Sequence, residues 1–182
     1  MADTNVVDVS RYQIKARLGM LTDDDGNVRE VNVLSWNGGY YKVDIRKWLS
    51  SNHGDDGTMD ECLPGIALSS AEIKELLKII ESRNVGVSLN AYKEDIFDET
   101  IGSETSVSLD LLKVVGTIAR YATGWTRDLT ITSWNGCFPV FDIRDWDPDH
   151  ERYSRGATFT EKEMKEFLEM AERALFFLVF PF

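Results

Sequence analysis

From Arg11 to Leu21 apolar and polar side chains alternate, imperfectly. Ile14, Ala16 and Leu18 fall on one side and Lys15 and Arg17 on the other, the two-residue period of a half-buried strand. The run Asp23-Asp24-Asp25-Gly26-Asn27 ends it, and Asp-Gly between two alternating segments predicts a hairpin. Read instead as a calcium loop from Asp23, this cluster has Val28 at its sixth position and Leu34 at its twelfth, where glycine and glutamate are needed. Val28 to Ser35 is a second strand, Trp36-Asn37-Gly38-Gly39 a tight turn and Tyr40 to Trp48 a third strand. In that third strand Tyr41, Val43 and Ile45 share one face, and Lys42, Asp44 and Arg46 the other. A polar loop, Ser50 to Glu61, leads to a short extended piece at Gly65-Ile66-Ala67-Leu68. The period then lengthens. Ile73, Leu76, Leu77 and Ile80 form the apolar face of a helix through Glu72–Ile80, capped by Ser69 or Ser70.

The same order returns further on. Lys113 to Tyr121 is a strand, Ala122-Thr123-Gly124 a turn, and Trp125 to Thr132 the next strand. Ser133-Trp134-Asn135-Gly136-Cys137-Phe138-Pro139-Val140-Phe141-Asp142-Ile143-Arg144-Asp145-Trp146 then matches Ser35 to Trp48 at 8 of 14 positions, without a gap, 98 residues later. The loop Asp147 to Arg155 is shorter than its counterpart. After Gly156-Ala157-Thr158-Phe159 a helix starts near Thr160, with Glu163 placed for a capping box and Met164, Phe167, Leu168 and Ala171 on its apolar face. The pattern predicts an α+β chain of two tandem β-β-β-β-α units, each a curved antiparallel sheet with one helix. The first covers residues 1–81 and the second 113–182. An acidic linker over 82–112, with room for a short strand at Val85-Gly86-Val87-Ser88-Leu89, joins them.

Composition narrows the functional classes. The formal net charge of −11 argues against a generic nucleic-acid binder. The acid is unevenly spread, however: residues 11–48 carry seven Lys/Arg against five Asp/Glu. The start shows no secretory signal, and the apolar run Leu175–Phe180 is far too short to span a membrane. Two cysteines at unrelated positions suggest neither a disulfide framework nor a metal pair, and a cytoplasmic location is the default expectation. His53 and His150 have no ligand partners at useful spacing. No nucleophile–base arrangement or phosphate loop is present, so the expectation is a non-enzyme without a cofactor.

An aromatic-x-Gly turn, an apolar strand ending Asp-Ile-Arg, a polar loop and Gly-(Ile/Ala)-x-(Leu/Phe)-(Ser/Thr) into a helix resembles the transcriptional positive cofactor 4 family. In the second copy, Gly124-Trp125-Thr126, Ser133-Trp134-Asn135-Gly136, Phe141-Asp142-Ile143-Arg144, Trp146-x-Pro148-Asp149-His150 and Gly156-x-x-Phe159-Thr160 resemble its small bacterial YdbC-type members. The first copy lacks Pro-Asp-His, and the chain is more acidic than is typical of the family. The resemblance covers roughly residues 11–81 and 113–173 and implies single-stranded-DNA binding on a curved sheet. Its members pair through their helices, so two copies in one chain imply an intramolecular pseudo-dimer, open to further dimerisation. It also implies single-stranded DNA or RNA as partner, and transcription machinery beside it, with no membrane.

Sequence-tolerant strand binding needs aromatic faces for bases and Arg/Lys for phosphates on one surface. The candidates are Trp36, Trp125 and Trp134 for stacking, Arg46 and Arg144 for phosphate, Asn37 and Asn135 at the turns, and Lys15, Arg17, Arg29, Lys42 and Arg127 in support. Each has a bland alternative. The tryptophans at the turns can fold back on the core, Arg46 and Arg144 can pair with Asp44 and Asp142, and the supporting cations can be solvated surface. Trp48 and Trp146 are expected to pack. The rival function is a protein-interaction module that kept the fold and lost the nucleic acid.

Overall fold

The computed structural model describes residues 12–23, 26–48, 62–82, 88–93 and 107–179. The loop Ser50–Glu61 with His53, the piece Val85-Gly86-Val87, the acidic run Glu94–Glu99 and Phe180–Phe182 lie outside them. Two four-stranded antiparallel sheets are each followed by a helix. The first holds β1 (Tyr12–Thr22), β2 (Val28–Trp36), β3 (Lys42–Arg46) and β4 (Ile66–Leu68), then α1 (Ser70–Ser82). The second holds β5 (Leu109–Arg120), β6 (Thr126–Trp134), β7 (Val140–Trp146) and β8 (Tyr153–Phe159), then α2 (Glu161–Val179). Strand order follows sequence order in both. Two tandem α+β units are therefore present.

The turn chemistry explains the hairpins. Asn37 and Gly38 have φ of 52° and 72°, and Asn135 and Gly136 repeat this at 51° and 68°. Only Asn and Gly adopt the left-handed region at little cost, which is why Asn-Gly recurs. Ser35 Oγ donates to the Gly39 carbonyl and Ser133 Oγ to that of Cys137, closing each turn. Both helices begin with a full capping box. Ser69 and Glu72 exchange hydrogen bonds between side chain and backbone N–H, as do Thr160 and Glu163.

β5 starts at Leu109, before the expected Lys113, because Leu109 and Leu111 pair with Trp134 and Thr132. Likewise β8 starts at Tyr153, opposite Trp146, within the stretch read as loop. Among the described residues of the connecting region there is a 3-10 turn, Asn90–Tyr92, next to a fully buried Leu89.

The chain forms two compact units, Met1–Lys74 with Glu166–Phe182, and Glu75–Lys165. α1 therefore begins in the first unit and ends in the second, and α2 the reverse. In the first unit Met170 of α2 packs against Gly19, where a Cβ would lie 2.8 Å from its methyl, and Arg173 donates to the Leu18 carbonyl. In the second unit Ile79 of α1 meets Gly116 in the same way, at 2.9 Å. Glycine at these places lets helix and sheet come together.

Val31, Val33, Val43, Ile45, Ile66 and Leu68 form the buried helix-side face of the first sheet. Leu129, Ile131, Phe141, Ile143, Ala157 and Phe159 do so in the second. The opposite faces carry the repeated signature.

Candidate functional site

The signature builds the same three-residue brace twice. Asp44 and Arg46 sit two apart on β3, so their side chains leave the same face, and Arg46 Nε donates to Asp44 Oδ1 at 2.5 Å. The guanidinium lies 4.2 Å from the centre of the Trp36 ring, and the Trp36 indole N–H donates to Asp44 Oδ2 at 2.9 Å. In the second unit Arg144 Nε reaches Asp142 Oδ1 at 2.7 Å and the guanidinium lies 4.6 Å from the Trp134 ring centre. There the Trp134 indole N–H approaches Asp142 without reaching hydrogen-bond geometry, and Thr132 Oγ1 donates to the carboxylate instead. Both aspartates have no exposed surface, and the Arg144 side chain is 6 % exposed.

Electrostatics fit this burial. Burial pushes the Asp142 carboxyl above its ordinary range, against the pull of Arg144, Thr132 and Trp134. Burial opposes the charge on Arg46, but Asp44 with a smaller share from the Cys62 sulfur more than offsets it, and its pKa is raised. A glycine makes room beside each arginine. A Cβ on Gly156 would come within 2.5 Å of both Arg144 Cβ and the Ile143 carbonyl, and one on Gly65 would collide with the Ile45 carbonyl and Arg46. Arg46 and Arg144 are thus committed to intra-sheet ion pairs, and Trp36 and Trp134 each have a guanidinium against the ring.

Around the braces the units diverge. In the first, Trp36 joins Tyr12, Ile14, Leu34, Trp48 and Cys62 in a second apolar cluster, with Trp36 and Trp48 stacked at 6.1 Å. In the second, Tyr153 joins the counterpart tryptophans, 5.8 Å from Trp134 and 5.4 Å from Trp146, and a polar set lies beside them. Thr126, Asp128, Thr130 and Thr132 are buried, and His150 Nε2 lies 2.9 Å from Asp128 Oδ2. A carboxylate can only accept, so Nε2 carries the hydrogen. The loop that delivers His150 holds it at φ 56°. The loop is tied by Asp147, whose carboxyl is held below its ordinary value by the Arg152 backbone N–H and side chain and by the Glu151 N–H. Trp48 and Trp146 are both buried, and Trp146 packs 5.5 Å from His150.

The remaining candidates separate by face. Arg17 pairs in register with Asn32, and Lys42 with Leu34, so both share the face of Asp44 and Arg46. Both are exposed, and neither has a hydrogen bond or ion pair among the described residues. Lys15 lies in the β1 bulge between Ile14 and Ala16, 5.2 Å from the Tyr41 ring centre. Arg29 pairs with Leu21 on the helix side. Arg127 also leaves from the helix side, where it is held by Asp145 through Nε at 2.7 Å and Nη2 at 3.2 Å. Trp125 sits at the β5–β6 hairpin with Arg152 5.9 Å from its ring centre. Asn37 and Asn135 are exposed turn-builders, and Asn135 Oδ1 accepts the Ser108 N–H. The structure therefore brings together Trp36, Arg46, Arg17 and Lys42. In the second unit only Trp134 and Arg144 share the corresponding face, because register places Val114 and Val140 where Arg17 and Lys42 stand.

Sequence reasoning passed over Tyr40 and Phe138, which occupy equivalent positions after the Asn-Gly turns and are 92 % and 49 % exposed. Their equal spacing from the two tryptophans was the available signal. Among the described residues no three of His, Cys, Asp and Glu gather to hold a metal, and no helix is long and apolar enough to cross a membrane.

No family model matches the chain. An uncharacterized protein of Treponema pallidum (strain Nichols) is 39 % identical over 49 residues, 27 % of this chain. That stretch is 58 % of the relative's own length.

Proposed function

We propose that the chain binds single-stranded nucleic acid, DNA or RNA, in the cytoplasm, through the face of the first sheet that carries Arg17 and Lys42. The observation that carries the reading is the pair of exposed cations on that face, without an ion pair among the described residues, beside the Trp36–Asp44–Arg46 brace. The resemblance of the duplicated signature to the positive cofactor 4 family supports it, and with it a role as a transcriptional coactivator or regulator working with the transcription machinery. In this reading Arg46 and Trp36 shape the face, and the charge that meets phosphate comes from Arg17 and Lys42.

Fluorescence anisotropy with a labelled oligo-dT at low salt tests it. The expected result is saturable binding whose log–log salt slope is shallow, about −1 to −2, since roughly two phosphates are met and each contributes about −0.7 on a single strand. Absence of saturable binding contradicts it. A protein-interaction module is the second reading, favoured by the net charge of −11 and by the valines on the second unit's face.

A further inference from the structure

The nucleic-acid reading needs exposed aromatic surface, and the braces have used theirs. Trp36 has Arg46 over its ring and Trp48 stacked beside it. Trp134 has Arg144 over its ring and Tyr153 edge-on at 5.8 Å. A base entering either place has to displace a guanidinium that is bonded to a buried aspartate.

The hairpin tips differ. Tyr40 follows the Asn37-Gly38 turn, stands two residues before Lys42 and is 92 % exposed, with no ring contact among the described residues. Phe138 occupies the equivalent place after Asn135-Gly136 and is 49 % exposed. The Lys93 ammonium lies 4.7 Å from its ring centre and covers part of it. Single exposed aromatics are ordinary. An aromatic ring left to water at the same position of both copies, beside a turn whose left-handed Asn-Gly geometry fixes the tip, is a repeated feature. The turn is also rigidly tied, by Gly39 N–H to the Trp36 carbonyl in one copy and Cys137 N–H to the Trp134 carbonyl in the other. The backbone beside each ring is thus already ordered before a base arrives.

Resting on the single-strand reading, we infer that Tyr40 is the principal base-stacking residue and Phe138 a secondary one, and that the tryptophans of the signature are not. The ligand class this fits is an unpaired base met by its π-face, the sequence-tolerant mode of single-strand binding. Tyr40, two residues before Lys42, takes a base whose phosphate that lysine meets. Phe138 takes one only after Lys93 moves aside.

The test measures oligo-dT affinity at fixed low salt for wild type, Tyr40→Ala, Tyr40→Phe, Phe138→Ala and Lys93→Ala. It is paired with photocrosslinking to a 5-bromouracil-containing strand and peptide mapping. Tyr40→Ala is expected to weaken binding about 5- to 150-fold, the range for one lost stacked base. Tyr40→Phe should stay within about 2-fold because the π-face is retained. Phe138→Ala should cost less than Tyr40→Ala, and Lys93→Ala should leave affinity equal or improved. The crosslinked peptide should contain Tyr40. Wild-type binding that survives Tyr40→Ala, or crosslinks mapping to Trp36 or Trp134 instead, overturns the inference and leaves the proposed function standing. Failure of the wild type to bind overturns both. Both tips lie outside the core, so thermal unfolding of the variants should match wild type and separate lost contact from lost fold.

Discussion

The two non-helix faces share one brace and diverge around it. In the first unit Trp36–Asp44–Arg46 is set in an apolar aromatic cluster and flanked by Arg17 and Lys42. In the second, Trp134–Asp142–Arg144 keeps an aromatic neighbour in Tyr153 but lies beside buried threonines and the Asp128–His150 pair, and is flanked by Val114 and Val140. The difference separates what the fold requires from what was free to change. A Trp, an Asp and an Arg at fixed spacing, with a glycine beside the arginine, are present in both, where they join the second and third strands of each sheet. The cations are present in one because nothing in the sheet depends on them.

The largest effect should come from breaking a brace. Arg144→Met leaves Asp142 buried without its ion pair, and removing one partner of such a pair costs about 3–5 kcal/mol. Denaturant unfolding checks this. The double variant Arg144→Met/Asp142→Leu should recover much of the loss, since a paired apolar replacement removes the uncompensated charge. The same pair of experiments at Arg46 and Asp44 should give the same order. A brace that mattered in only one unit would weaken the claim that it is scaffold.

Next in size is a device the first unit does not share in kind, because Glu30 stands in register opposite Arg46 where the second unit has Asp128 opposite Arg144. Among the described residues His150→Ala removes one of the two donors to Asp128 Oδ2, the other being Thr126 Oγ1, from a carboxylate that is 1 % exposed and whose Oδ1 has no hydrogen-bond partner. Stability should fall by about 1–3 kcal/mol, the cost of leaving a buried acceptor short. A change below about 0.5 kcal/mol, the size of an ordinary surface substitution, would show that the loop does not depend on this contact.

Much of this could be read before any coordinates. The 98-residue repeat, the alternation in β3 and the Ser/Thr caps fix two tandem β-β-β-β-α units, because each is a local signal with one structural outcome. The strand start at Tyr153 was hidden, since Tyr153-Ser154-Arg155-Gly156 does not alternate and only cross-strand pairing with Trp146 defines it. Val107-Ser108-Leu109-Asp110-Leu111, by contrast, alternates and was passed over within an acidic stretch. The destination of the arginines was open as well. Asp-x-Arg on a strand offers both an ion pair and a phosphate contact, and the burial of Asp44 and Asp142 on a face expected to be polar decides for the pair. Bulges in β1 moved Lys15 away from Arg17, a shift that simple counting by twos cannot anticipate. Tyr40 and Phe138 were legible as aligned aromatics, but their exposure was not.

The central claim is that nucleic acid is met by the flanking cations of the first unit and not by the brace common to both. Oligo-dT anisotropy at low salt, comparing wild type with Arg17→Val/Lys42→Val, tests it most directly. The substitutions copy what the second unit already carries, so folding stability should be unchanged within about 0.5 kcal/mol. The account predicts affinity about 2- to 30-fold weaker, the worth of two exposed ion pairs, with a salt slope close to zero. Undiminished binding with an unchanged salt slope would contradict it.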